Sequence, residues 1–243
     1  MTLRRVGRIV GTAMVVAGTG LLVWVIVVWR WQDPFTALYT HWKQHQLAGR
    51  YHRLYADYRP LPLQQGTASL AAVERAIARE ARLYRREARR GQAIGRINVP
   101  RLGLNMILVN GTDHDSLTKG PGRDPRTYMP GQGQLIYIAG HRTTYLAPFA
   151  HIEKLRRGDF VLLEVPYATF RYRISKHRIV AADDLSVLRT HGREVVELQA
   201  CHPRFFASHR YIAYGSLVRV EPRGGQPFTP PATALAAGAT ATG

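Results

Sequence analysis

The chain has 243 residues, a formal net charge of +18 and a single cysteine. One thiol excludes an intramolecular disulfide and a cysteine-rich zinc site. The charge implies an anionic setting, and with no zinc-finger spacing and no aromatic RNA-binding motif, lipid head groups or wall polymer fit better than nucleic acid.

The first element is apolar. Ile9 to Trp29 is an uncharged run of 21 residues rich in valine and leucine, long enough to cross a bilayer as a helix. It exceeds the core of a cleaved signal peptide, and no small-residue cleavage site follows it. Arg4, Arg5 and Arg8 precede it, which favours a cytoplasmic N-terminus, and Trp24, Trp29 and Trp31 gather at the far end, where indoles prefer the interface. Residues 1–30 are therefore expected to be a cytoplasmic terminus and single membrane anchor, with the remainder outside the cell.

Residues 31–92 read as a juxtamembrane linker followed by a basic helix. Gln32 to Gly66 carries Tyr39, Trp42, Tyr51, Tyr55 and Tyr58 among scattered basic residues. No clean helical period runs through it, which predicts a partly helical stalk rather than a segment lying on lipid. Thr67 to Arg90 is a helix. Leu70, Val73, Ile77, Ala81, Tyr84 and Ala88 recur at three- and four-residue steps, with Thr67 or Ser69 as cap and Gly91 after the end. Its remaining faces are crowded with arginine, which predicts a solvated surface.

From Ala93 the pattern changes to short strands and turns. Strands are expected at Ile94–Val99, Asn105–Val109, Leu135–Ala139, Phe160–Val165, Thr169–Ala181, Val195–Ala200 and Tyr211–Val220. Gly120-Pro121-Gly122 and Pro130-Gly131-Gln132-Gly133 mark loops. Pro148 to Leu155 is expected to form a short helix. Many short strands with few helices suggest a closed β-barrel over residues 93–222. Residues 223–243, rich in proline, alanine, threonine and glycine, should be disordered.

Cys201 ends an apolar run, and a lone cysteine is either a buried small residue or a nucleophile. A thiol nucleophile needs a group that stabilises the thiolate and moves a proton, which histidine does near neutral pH. It also needs a donor for the oxyanion, which arginine supplies. His141 lies at a candidate strand end after Gly140, and Arg210 follows the cysteine. His202 is adjacent to the thiol, but neighbours in a strand face opposite ways. The three lie at the ends of candidate strands, as residues meeting at one edge of a sheet would; taken singly, Cys201 also reads as a core residue and Arg210 as a surface arginine.

The segment Ala139-Gly140-His141-Arg142-Thr143-Thr144-Tyr145 with Ala147-Pro148-Phe149, and the segment Leu198-Gln199-Ala200-Cys201-His202-Pro203 with Arg210-Tyr211-Ile212, resemble the two catalytic segments of sortases, most of all the class E sortases of actinobacteria. The resemblance covers about Ala93 to Val220. It implies a mainly β fold, a closed eight-stranded barrel with the site at one end. It also implies a cysteine transpeptidase that cleaves an LAxTG- or LPxTG-like C-terminal signal between Thr and Gly. Cys201 would be the nucleophile, His141 the proton carrier and Arg210 the oxyanion donor. The threonyl group would pass to an amine of the peptidoglycan precursor. Partners would be secreted proteins bearing the signal.

Further site residues follow from the same resemblance. Tyr145 or Tyr128 would shape recognition of the signal. Leu185, Val187 and Leu188, in the connection Asp183 to Arg193, would meet its apolar residue. Ala200 stands where the family usually has threonine, so a hydroxyl is missing from the site. No cofactor is required, and no dense acidic cluster suggests calcium. Three rival functions share these residues: a pilus-polymerising sortase using a pilin lysine, a cysteine hydrolase using water, and a non-catalytic module binding wall polymer.

Overall fold

The computed structural model describes residues 3–31, 34–61, 69–190 and 192–230. Three helices come first: α1 (Leu3–Trp31), α2 (Pro34–Asp57) and α3 (Leu70–Glu87). Arg4–Val27 within α1 has a mean hydropathy of 2.2 and is long and apolar enough to cross a membrane.

Eight strands then close a barrel: β1 (Ala93–Val99), β2 (Leu104–Asn110), β3 (Gly122–Arg123), β4 (Leu135–Ala139), β5 (Phe160–Val165), β6 (Ala168–Ala181), β7 (Val195–His202) and β8 (His209–Pro222). Their order around the barrel is β1-β2-β3-β4-β7-β8-β6-β5, and β5 pairs back to β1. Neighbours are antiparallel except β2 with β3 and β4 with β7. The parallel pair matters for the site, because it places the C-terminal ends of β4 and β7 side by side.

The core follows from strand alternation. Val196, Leu198 and Ala200 of β7 point into the barrel with Ile136 and Ile138 of β4. The opposite faces carry Leu135, Tyr137, Ala139 and Val195, which form a second apolar cluster with Ile212, Tyr214 and Val187. Being covered on both faces, β4 is buried throughout, which is why it reads as a continuous apolar run.

All seven expected strands agree with the observed ones to within two residues at each end, and Leu135–Ala139 and Phe160–Val165 agree residue for residue. Four expectations are corrected. The loop around Gly120-Pro121-Gly122 ends in a two-residue strand, β3. A Cβ on Gly122 would lie 1.9 Å from the Gly111 carbonyl oxygen, so only glycine lets the chain pass there. Pro148 to Leu155 is a series of turns with one 3-10 turn at Ile152–Lys154, because three residues before it adopt left-handed backbone. The connector is not a stalk: α2 is a helix of 24 residues packed on the barrel. Its Leu47 and Tyr51 are buried with Ile107 and Val109, and Gln44 bonds the Ile107 backbone through both its amide nitrogen and its oxygen. Finally, the tail starts ordered, since Phe228 and Val220 exchange backbone hydrogen bonds. The remainder of the tail from 231 lies outside the described residues, as does Thr67.

α3 is as expected. Ser69 caps it by accepting from the Ala72 amide, and Ile77, Ala81 and Tyr84 are buried. The Tyr84 hydroxyl donates to the Ile94 carbonyl, which fixes the helix against β1.

Candidate active site

A cleft of about 290 Å³ opens on the outer face of the barrel at the joined ends of β4, β7 and β8. His141, Cys201 and Arg210 all line it. Cys201 reaches it through alternation: Gln199 and Cys201 face outward while Ala200 faces the core. Arg210 reaches it through register, since Cys201 and Arg210 are paired residues of β7 and β8. His141 follows Gly140, whose amide donates to the Gln199 carbonyl and so ties the end of β4 to β7.

Each member of this set is held by specific contacts. Arg210 Nη1 donates to the Ala207 and His209 carbonyls at 2.7 and 3.0 Å, leaving the rest of its fork at the cleft. Cys201 is a free, half-buried thiol. His141 Nε2 is buried without a hydrogen-bond partner among the described residues. Burial, and then the neighbouring His114, push the His141 imidazole below its ordinary value of 6.5, because both disfavour the charged ring. The neutral ring is thus the resting form at neutral pH.

The loop after His141 is strained. Tyr145, Leu146 and Ala147 have φ of 53°, 60° and 38°, left-handed values that cost non-glycine residues about 1–2 kcal/mol each. Hydrogen bonds hold it: Phe149 N to the His141 carbonyl, Ala147 N to the Thr144 carbonyl, and Tyr145 N to Thr36 Oγ1 at 3.1 Å. The Tyr145 ring sits 4.9 Å from the His141 ring, centroid to centroid.

The other expected site residues divide. Leu185, Val187 and Leu188 form a 3-10 turn that walls the cleft. Ala200 does not line it. Its side chain is fully buried in the barrel core, because it is out of phase with Cys201. Tyr128 is placed elsewhere: its amide bonds the carbonyl of Leu135, at the far end of β4 from His141, and the Arg85 guanidinium covers its ring at 4.7 Å.

Sequence reasoning passed over Arg142. It is 6% exposed, and it donates to the Cys201 carbonyl at 3.0 Å and to Glu153 at 2.8 Å, with His202 Nδ1 also at 3.0 Å. One side chain therefore braces the segment after His141 against the strand end that carries Cys201. Adjacency to His141 was its only signal. Its partners lie at distant positions that only folding brings together. Arg126, paired with buried Asp124 at 2.7 Å, also lines the cleft. A larger cavity of about 400 Å³ lies between α3 and the other end of the barrel, but neither thiol nor imidazole lines it. Among the described residues, no three His, Cys, Asp or Glu side chains converge in a way that could hold a metal ion.

The family profile described as Sortase domain matches residues 97–218, half of the chain. The chain belongs to the sortase family. It is 36% identical over 132 residues to "Sortase D" of Bacillus subtilis (strain 168), covering 53% of this chain and 65% of that protein. The solved structure of sortase E from Streptomyces avermitilis is 31% identical with a TM-score of 0.51, covering 57% of this chain and 97% of that one. The Clostridium perfringens Sortase D5 transpeptidase, at 21% identity, shares the fold with a TM-score of 0.58, covering 72% of this chain and 98% of that one. Sortases named D and E both stand among the relatives. The matched part of the chain spans less than two thirds of the curated relatives' lengths.

Proposed function

We propose that this chain is a membrane-anchored cysteine transpeptidase of class E type, acting on a C-terminal LAxTG- or LPxTG-like sorting signal. The observation that carries the reading is the convergence of Cys201, His141 and Arg210 on one cleft. The Cys201 thiolate attacks the carbonyl carbon of the signal's threonine, forming a C–S bond. Arg210 stabilises the resulting oxyanion with its free donors. The C–N bond to glycine then breaks, and imidazolium His141 gives its proton to the leaving amine, leaving a thioester. An amine of the peptidoglycan precursor attacks the thioester, loses its proton to His141 and releases Cys201 as thiolate.

This sequence needs thiolate and imidazolium together. Burial, which keeps His141 below its usual range, works against the charged ring that this step uses. Leu185, Val187 and Leu188 receive the signal's apolar residue, and Tyr145 borders its path. Residues 1–30 anchor the chain with Arg4, Arg5 and Arg8 inside, residues 31–92 join the anchor to the barrel, and residues 93–222 work outside the cell.

Intact mass of the chain after incubation with an LAxTG peptide and an amine acceptor tests this. The expected result is a thioacyl adduct on Cys201 followed by a ligated product. A Cys201→Ala variant that still cleaves the peptide overturns the mechanism. Release to water alone, with no ligation, makes the protein a hydrolase.

A further inference from the structure

Among the described residues outside α1, four large apolar side chains left open to solvent gather at the start of α2, while others, such as Phe205 and Phe206, are exposed elsewhere. Phe35, Leu38, Tyr39 and Trp42, on the first three turns of α2, are exposed by 71, 70, 42 and 53%. Their steps of three, one and three residues put them on one helix face. Thr40, Gln44, Leu47 and Tyr51 occupy the other face, which is spent on the barrel: Thr40 Oγ1 donates to the Thr118 carbonyl at 2.7 Å, and Leu47 and Tyr51 are buried. Two stripes on one helix explain why the sequence has no single amphipathic period.

Three observations say what covers the outer stripe. α1 ends at Trp31 and α2 begins at Pro34, so the patch is tethered beside the apolar helix and meets the same bilayer at high effective concentration. Trp24 of α1 lies against Phe35, with ring centroids 5.4 Å apart, which sets the first turn of α2 at the depth of that indole. The patch also has interfacial chemistry: the Lys43 nitrogen is 4.5 Å from the Trp42 ring and 5.5 Å from the Tyr39 ring, and α2 has no acidic residue before Asp57. Aromatic rings beside a cation settle at head-group level.

We propose that Phe35, Leu38, Tyr39 and Trp42 form a membrane-seating surface whose partner is the bilayer that α1 crosses. The inference rests on the reading of α1 as a membrane span. Seating reaches the cleft directly. Thr36, next to the patch on the first turn of α2, accepts from the Tyr145 amide, and the Tyr145 ring adjoins His141. The strained loop is thus fastened to the element resting on lipid, which holds the cleft at a set height above the surface.

The test uses the full chain with Cys201→Ala, and a single new cysteine carrying an environment-sensitive fluorophore, in phosphatidylcholine–phosphatidylglycerol vesicles. Leu38→Cys and Trp42→Cys report on the patch, Val16→Cys on α1 and Arg79→Cys on the exposed face of α3. Lipid spin labels sit either near the head groups or deep in the chains. The expected result is quenching at positions 38 and 42 by the shallow label at least about threefold stronger than at 79, with position 16 quenched by the deep label. Deep quenching at 16 with positions 38 and 42 no more quenched than 79 overturns the seating alone. No quenching at 16 overturns the span, and the seating falls with it. A blue shift at 38 without quenching means that protein covers the patch, such as a second copy, and also overturns the proposal.

Discussion

Replacing Arg142 by methionine tests whether this side chain positions the nucleophile. The substitution keeps the apolar stem and removes the fork. It deletes a charge-assisted bond to the Cys201 carbonyl at 3.0 Å, worth about 1.5–3 kcal/mol. It also deletes the pair with Glu153, whose side chain is 41% exposed, so that contribution stays below about 1 kcal/mol. Relief from burying the guanidinium offsets part of both. The net expected loss is about 2 kcal/mol, or about 4–8 °C in Tm for a chain of this size. Thermal unfolding in detergent measures it, and alkylation of Cys201 at fixed pH reads the nucleophile separately. The alkylation rate should change in Arg142→Met and not in Glu153→Gln, which leaves the Cys201 bond in place. An Arg142→Met protein within about 0.5 kcal/mol of the parent, the range of neutral surface substitutions, refutes the reasoning. Equal losses in the two variants would assign the effect to the ion pair instead of the Cys201 carbonyl.

Three more outcomes follow from the same geometry. A Cβ at position 140 would lie 2.7 Å from Phe149 Cδ2 and 2.9 Å from Pro148 Cγ, so Gly140→Ala should cost about 1–3 kcal/mol by overpacking, seen in denaturant titration, and lower kcat by moving His141. His114→Gln removes a like charge that holds His141 down. The His141 ring should then titrate closer to 6.5, followed by NMR of its Cε1 proton, while burial keeps it below that value. Glu197, fully buried on β7, is pushed up to about 8 by burial, against the opposing pull of Lys176 and Arg178. Its folded value exceeds its unfolded one, so its stabilising effect is complete below about 4.5 and is lost as pH rises through 8. Glu197→Gln should flatten the fall in stability between those values, and an unchanged pH slope in urea titrations would contradict the assignment.

Much of the fold is written locally. Strands such as Phe160–Val165, and the arginine-faced α3 with its Ser69 cap, follow from side-chain period and cap chemistry, because each element's buried face repeats at its own period. β3 does not follow, since two residues have no period; a parallel neighbour and the tight passage at Gly122 create it. α2 was also illegible, because two opposed stripes cancel in any one-face pattern.

The site divides the same way. The sequence by itself determined the reactive types: a lone thiol, a histidine after glycine and an arginine in the following strand. It also determined that Cys201 faces away from its immediate neighbours on β7, since alternation is a local property. Only the tertiary structure decided that Ala200 belongs to the core and that Tyr128 lies at the wrong end of β4. The same holds for Arg142 as the brace of the Cys201 carbonyl and for the patch on α2 that faces away from the barrel. Those facts depend on strand order and register between residues far apart in the chain, and no short-range pattern encodes such a pairing.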